Sequence, residues 1–326
     1  MIFQPYDAKL NKSFIPLRSK RKLHRRKKMN ICCNTDYCGG TGDFISQIYE
    51  IAEAGFTHYF WCHQWNTDFL YTAPEIAEIK KTQRAAGLKL LDIHGSKGVE
   101  KYWCSTTEYI RKAGVELVKN RIEMLRELDG TGVVVMHAPN TKFRCAHIPD
   151  EQTEAVSKQA IIELDAVFRS LDELMPVLEK NDTKIAIENL IRDDWGLMNS
   201  YLERYPAERL GICYDCGHAN LHGNRMCEMD KRKSRIVATH LHDNDGAADQ
   251  HKPVFTGTID FEALAKLLAT SAYKNPLSFE LSMKNTPFWD QTKEFPADQT
   301  HESRRAFLKS SYEGCVKLVR MVEAAR

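Results

Sequence analysis

Short apolar runs alternate with longer amphipathic segments along most of this 326-residue chain. Runs of four to seven apolar or β-branched residues have the length of buried strands and predict eight of them. They lie at residues 30–33, 57–62, 88–93, 132–136, 183–187, 210–214, 235–241 and 276–281. Strands that alternate with helices indicate a parallel sheet. Eight such units in about 300 residues predict an α/β fold, the single-domain (β/α)₈ TIM barrel.

A helical period of 3.6 residues marks the segments between the strands. It is clearest at residues 108–128, 151–178 and 303–325. Pro176 should kink or end the second of these helices, because proline lacks the N–H that a helix interior requires. Further helices are predicted at residues 44–53, 76–86, 197–204, 226–233 and 260–270.

The charge of the chain is unevenly distributed. Residues 1–28 hold ten Lys or Arg and one acid, Asp7, which leaves 36 basic and 43 acidic residues in the remainder. A segment this basic could bind a polyanion, but it lacks apolar periodicity and precedes the first predicted strand. We therefore expect residues 1–29 to be a disordered basic extension and residues 30–326 to form the barrel.

The composition also bears on the cellular location and on the redox state of the cysteines. No apolar run reaches the length of a transmembrane helix, and the basic N-terminus lacks the apolar core of a signal peptide, so a cytoplasmic location is expected. The ten cysteines are scattered and are expected to be reduced thiols. Cys213 and Cys216 have the spacing of a zinc knuckle, but no second CxxC pair accompanies them, so a structural zinc site is not expected.

The segment 238–251, ATHLHDNDGAADQH, concentrates histidine and aspartate directly after an apolar strand. Alternate residues of a strand point to the same side, so His240 and His242 are predicted to project together. Asp243, Asp245, Asp249 and His251 follow on the loop beyond. Imidazole nitrogens and carboxylate oxygens together favour a divalent cation.

Polar groups also follow the other predicted strands. They are Asn34 and Asp36, His63, His94, His137, Glu188, Asp215 with His218, and Glu280. In a TIM barrel the C-terminal ends of the strands carry the catalytic groups, so these side chains should converge at one mouth. Glu188 and Glu280 follow apolar runs, and a bound cation would offset the cost of burying their charges.

Four motifs carry a family resemblance: TKIAIENL, GICYDCGHANLHG, THLHDNDGAADQH with GTIDF, and LSFEL. They resemble the xylose isomerase-like TIM barrel superfamily, which contains sugar-phosphate isomerases and epimerases and the endonuclease IV type of AP endonuclease (AP endonuclease family 2). The resemblance extends from about residue 30 to 325 and its motifs are strongest from 183 to 281.

The resemblance implies a metal site. In the epimerase branch one divalent metal, Mn²⁺ first and otherwise Zn²⁺, Mg²⁺ or Co²⁺, would be held by Glu188, Asp215, His240 and Glu280. The endonuclease branch binds three zinc ions, and its additional ligands would correspond to His94, His137, His218, Asp249 and His251. We expect one catalytic metal, since a sugar enediolate needs a single Lewis acid.

The resemblance also implies the chemistry: a carbohydrate isomerase or epimerase that abstracts a proton next to a carbonyl through a metal-stabilised enediolate. Glu188 and Glu280 would exchange the proton, with His137 or His218 as alternative bases. The residues expected to contact substrate are His94, Trp65, Trp103, His242 and Trp289.

Three alternatives stay open: a lyase that expels a substituent, such as the aglycone of a 3-keto-glycoside, an AP endonuclease, and a barrel that only binds. The endonucleases place a longer basic loop before the D-x-H pair, whereas residues 244–248 contain no Arg or Lys. A small carbohydrate or keto-glycoside is therefore the expected partner, without nucleic acid or membrane. The sequence leaves open whether the protein forms a homo-oligomer or a hetero-oligomer.

Overall fold

The computed structural model describes residues 29–39, 43–139, 150–191, 195–221, 226–284, 286–293 and 295–326, with the side chains of 150–161 excepted. The basic extension predicted for residues 1–29 lies outside this range except for Met29. Its expected disorder therefore stays a prediction.

Eight parallel strands form one sheet in the order β7-β6-β5-β4-β3-β2-β1-β8. They are β1 (Ile31–Asn34), β2 (His58–Trp61), β3 (Lys89–His94), β4 (Val134–Met136), β5 (Ile185–Glu188), β6 (Leu210–Asp215), β7 (Ile236–His240) and β8 (Leu277–Phe279). A parallel bridge between Leu241 and Phe279 joins the two ends of the sheet into a nearly closed barrel. The predicted (β/α)₈ TIM barrel is confirmed, and each predicted strand boundary lies within two residues of the observed one.

The strands alternate with helices. The helices are α1 (Phe44–Ala54), α2 (Ala73–Ala86), α3 (Glu108–Glu127), α4 (Asp150–Lys180), α5 (Trp195–Arg204), α6 (Cys216–Asn220), α7 (Met226–Asp230), α8 (Phe261–Thr270) and α9 (His301–Ala325), with 3₁₀ turns at Lys233–Arg235 and Pro296–Asp298. Polar side chains start several of them: the Asp260 carboxylate accepts the backbone N–H groups of Glu262 and Ala263, both at 3.0 Å, at the start of α8.

Helix α4 continues past Pro176 to Lys180, so the proline does not end the helix. Leu171, Leu174 and Leu178 are fully buried on both sides of the proline. Their burial against the barrel outweighs the one backbone hydrogen bond that the proline removes.

The core has two parts, one between sheet and helices and one inside the barrel. Small side chains dominate the inner part, where Cys32, Cys62, Ala186, Cys213 and Ala238 pack with Phe60, Leu91, Val133 and Val135. All described cysteines are free thiols, as the sequence predicted. Among the described residues, no helix is both long enough and apolar enough to cross a membrane.

Candidate metal centre and active site

Four side chains from consecutive strands meet at the C-terminal mouth of the barrel. Glu188 ends β5, Asp215 ends β6, His240 ends β7 and Glu280 directly follows β8. One ligand atom from each lies within 4.8 Å of all the others. We call these four residues the central group. Their position follows from the parallel register, which pairs Asp215 with His240 across β6 and β7.

The donors of the central group fit a divalent cation. Nδ1 of His240 lies 3.2 Å from Oε1 of Glu188 and 3.0 Å from Oε2 of Glu280. Neither ring nitrogen of this buried histidine makes a hydrogen bond of good geometry. Three carboxylates and one imidazole face each other here at the end of the barrel. Burying these charges together costs free energy unless a cation neutralises them.

In the central group, the carboxylates and the imidazole of His240 each favour the charged form of the other. Burial opposes ionisation of Glu188 most strongly, but the imidazoles of His240 and His137 outweigh burial and hold the pKa of Glu188 well below its usual value. Burial likewise opposes the charge on Glu280, yet His240 lowers the pKa of Glu280 to about 2. For His240, burial is outweighed by Cys213, Glu280 and Glu188, which raise its pKa well above that of a free histidine. A cation at this site would thus displace a proton from His240.

A second group flanks the first and shares Glu188. His137 Nε2 lies 3.1 Å from Oε2 of Glu188 and 3.3 Å from Nε2 of His94. Burial lowers the pKa of His94 to about 4, so this imidazole is neutral and can act as a ligand. The ring of Trp65 covers the pair, with its centroid 4.6 Å from that of His94 and 5.3 Å from that of His137.

A third group lies on the other side of the mouth. Nε2 of His218 and Nε2 of His251 each lie 3.1 Å from Oδ2 of Asp249. Hydrogen bonds from both histidines, which outweigh burial, hold the pKa of Asp249 far below its usual value. Asp249 raises the pKa of His251 to about 10 despite burial. The structure thus brings together all nine residues that the sequence singled out as metal ligands.

Three histidines have the orientation typical of metal ligands. Nδ1 of His94 lies 3.0 Å from the carbonyl oxygen of Gly95, Nδ1 of His218 lies 2.9 Å from that of Asn189, and Nδ1 of His251 lies 3.2 Å from that of Glu280. A carbonyl contact of this kind holds a proton on Nδ1 and directs Nε2 toward the site, where a cation would replace any proton that Nε2 carries.

Two of the residues expected to contact substrate, Trp103 and His242, are buried in the protein. Trp103 is fully buried, and its Nε1 donates to the carbonyl oxygen of His137 at 3.2 Å, so this indole supports the backbone beneath the site. His242 is also fully buried: its Nε2 lies 3.2 Å from both carboxylate oxygens of Asp215, and its ring stacks on His251 at 4.1 Å. The His242 ring packs tightly over Gly217, where a Cβ would lie 1.9 Å from the ring, and this enclosure keeps His242 away from solvent.

An open cleft of about 570 Å³ adjoins the central group. Trp65 and Trp289, both predicted to contact substrate, line it together with Glu280 and His251, whereas His94 does not. Asp36 also lines it, although the sequence pointed only to its place after a strand. His63, in contrast, lines a separate aromatic-walled pocket behind the Trp65 segment and is not part of the metal-ligand groups.

The aspartates of segment 238–251 have different roles. The fully buried carboxylate of Asp243 accepts four backbone N–H groups, those of Asn244, Thr256, Gly257 and Ile259, at 2.7 to 3.2 Å. Asp245 is exposed and closes a short turn by accepting the N–H groups of Ala247 and Ala248. Neither residue belongs to a metal-ligand group among the described residues.

Comparisons with known proteins agree with this architecture. A family model described as "Xylose isomerase-like TIM barrel" matches residues 48–310, and the chain belongs to this family. The uncharacterized protein y4fM of Sinorhizobium fredii (strain NBRC 101917 / NGR234) is 28% identical over 302 residues, which cover 85% of this chain and 88% of the relative.

Two solved structures share the fold. One is a D-tagatose 3-epimerase-like protein, with a TM-score of 0.68, 22% identity and coverage of 91% of this chain and 99% of the other. The second is 3-keto-D-glucoside 4-epimerase, YcjR, from E. coli, with a TM-score of 0.60, 19% identity and coverage of 87% and 100%. The structural neighbours of this chain are thus sugar epimerases and isomerases.

Proposed function

We propose that the protein is a divalent-metal-dependent carbohydrate isomerase or epimerase that moves a proton at a carbon next to a carbonyl. The central group is the observation that carries this proposal, because it joins three carboxylates and an imidazole within 4.8 Å at the edge of a cleft. The names of the structural neighbours, which include a tagatose 3-epimerase-like protein and a 3-keto-D-glucoside 4-epimerase, support a small sugar as the substrate.

The chain's own residues would divide the work of binding and proton transfer. Trp65 and Trp289 line the cleft and offer flat apolar surfaces for a sugar ring. Glu280, which reaches into the same cleft, is the carboxylate best placed to take and return the proton. Glu188 lies deeper, between His137 and His240, and would hold the metal and act as the second base.

A bound divalent cation, Mn²⁺ first and otherwise Zn²⁺, Mg²⁺ or Co²⁺, would supply Lewis-acid stabilisation of the negative charge that develops next to the carbonyl. Glu188, Asp215, His240 and Glu280 would hold it. We expect one catalytic metal. His137 and His218, each beside Glu188, remain alternative bases.

A lyase reaction shares the first step and remains an alternative. The same proton removal would be followed by loss of a substituent, such as the aglycone of a 3-keto-glycoside. The likeness to a keto-glucoside epimerase makes this substrate class worth testing first.

The two flanking groups favour a second candidate, metal-dependent phosphodiester cleavage of the endonuclease IV type. One, formed by His94 and His137, shares Glu188 with the central group, and the other, formed by His218, Asp249 and His251, offers three ligand atoms of its own. Against this candidate, residues 244–248 form a short turn closed by Asp245 and carry no basic side chain with which to grip a phosphate backbone.

Solvent exchange tests the proposal most directly. The metal-loaded protein is incubated in D₂O with ketoses, keto-sugar phosphates and 3-keto-glycosides, and with an abasic-site duplex in the same buffer. We expect deuterium at the carbon next to the carbonyl of at least one sugar, no duplex cleavage, and loss of exchange in Glu280→Gln. Product analysis then distinguishes an epimer from a released aglycone. Metal-dependent duplex cleavage without deuterium in any sugar would establish the second candidate instead.

A further inference from the structure

The barrel interior directly beneath the central group contains a thiol. Cys213 precedes Asp215 by two residues on β6, so both side chains point into the barrel. Cys213 is fully buried, and its Sγ, a ring nitrogen of His240 and a carboxylate oxygen of Glu188 lie within 4.8 Å of one another. The thiol is thus a polar neighbour of the His240 ring within the barrel.

His240 differs from the other histidines of the site. His94, His218 and His251 each place one ring nitrogen against a backbone carbonyl. His240 directs Nδ1 to two carboxylates, and its Nε2 is buried without a hydrogen bond of good geometry. The ring of Phe60, 4.6 Å away, covers the histidine but offers no lone pair. A histidine that binds a cation through one nitrogen needs an acceptor for the N–H of the other.

We propose that Cys213 is a positioning residue for the metal centre: its sulfur accepts the Nε2–H of His240, so that the Nδ1 lone pair points toward Glu188 and Glu280. This inference rests on the proposed metal site. Cys213 packs among the apolar side chains of the barrel interior, an environment that disfavours a charged group.

A neutral acceptor suits this position better than the carboxylate often found behind a metal-bound histidine. Three acidic groups, those of Glu188, Asp215 and Glu280, already lie around His240. A further negative charge in the closed interior would lose its hydration without gaining a positive partner, which is unfavourable. The neighbouring Ala186 and Ala238 leave room for a sulfur atom. Cys213 therefore satisfies the ring N–H without adding charge.

The test compares Cys213→Ala, Cys213→Ser and Cys315→Ala. Cys315 is equally buried but lies on α9, away from the site, so its replacement controls for the loss of a buried thiol. Affinity for Co²⁺ and for Zn²⁺ is measured by competition with a chelator, without sugar present. We expect Cys213→Ala to bind about 10- to 100-fold more weakly, the usual effect of losing such a partner. Cys213→Ser should recover most of the affinity and Cys315→Ala should keep all of it.

The visible and near-ultraviolet spectra of the Co²⁺ protein distinguish positioning from ligation. We expect no thiolate-to-cobalt charge-transfer band in the wild type. Such a band, lost in Cys213→Ala, would overturn the proposal by making Cys213 a ligand, and equal affinity in Cys213→Ala and wild type would overturn it as well. A wild-type protein that binds no cation would refute the metal centre itself. Weakened binding in Cys213→Ala, with no solvent exchange on any sugar, would uphold this inference while the proposed reaction fails.

Discussion

Replacement of Asp243 by alanine should destabilise the protein and weaken the outer part of the site. Its carboxylate is fully buried and accepts four backbone N–H groups from the loop that follows β7. Each donor left unsatisfied costs about 1 to 3 kcal/mol, and because water can reach part of the loop we expect a total loss of about 3 to 5 kcal/mol. For a chain of this length that corresponds to a fall in melting temperature of roughly 5 to 8 °C.

The same loop carries Asp249 and His251, so the third ligand group should loosen along with it. The assay is thermal unfolding followed by circular dichroism, with urea unfolding as a second measure, on Asp243→Ala and on Asp245→Ala. Asp245 is exposed, and its carboxylate accepts only from Ala247, Ala248 and the Gln250 side chain among the described residues, so its replacement should cost less than about 1 kcal/mol. The reasoning is wrong if Asp243→Ala melts at the same temperature as wild type, or if both variants lose the same stability.

Three further predictions concern the central group, the basic extension and His58. Alanine in place of Glu188, Asp215, His240 or Glu280 should abolish metal retention and activity, and elemental analysis showing full occupancy in Asp215→Ala would contradict the assignment. Deletion of residues 1–28 should leave melting temperature and turnover unchanged, because that segment lacks apolar periodicity, and a large drop in melting temperature would show that it packs on the barrel. Burial, aided by Lys89, lowers the pKa of His58 to about 4. As pH falls, the imidazole is therefore protonated in the unfolded chain before it is protonated in the folded protein. The contribution of His58 to the free energy of unfolding should be complete above about pH 6.5 and should be lost as pH falls toward 4. His58→Gln should flatten the urea-unfolding profile across that range, and an unchanged acid slope would refute this origin.

Local patterns were enough to predict the barrel and the position of its chemistry. A strand buried on both faces must be a short apolar run, and the polar residue that ends each run must lie at the mouth of a parallel barrel. For this reason Glu188, Asp215, His240 and Glu280 were expected at the mouth with the other strand-end residues, and the family resemblance then implied that these four hold the metal. Trp65, Trp103 and Trp289 were expected to contact substrate because they lie in loops; Trp65 and Trp289 line the cleft, whereas Trp103 is fully buried.

Position along the chain could not assign roles within the crowded segment 238–251. His240 and His242 both contact carboxylates of the central group, but His240 is itself one of its four members while His242 is enclosed between Asp215 and His251. The difference depends on Gly217 of the neighbouring helix α6, whose missing side chain makes room for the His242 ring. The partners that bury a side chain come from distant parts of the sequence, so hydropathy near it cannot reveal them.

The amino-acid sequence by itself therefore determined the eight β/α units, the family and the set of ionisable groups at the strand ends, because each depends on local periodicity or on motifs within a few residues. Only the tertiary structure decided which nitrogen of each histidine faces the site, that Trp103 supports His137 from the core, and that Cys213 lies beneath His240. Those features depend on the register between strands and on the packing of loops across the mouth, where small differences in distance separate a ligand from a supporting side chain.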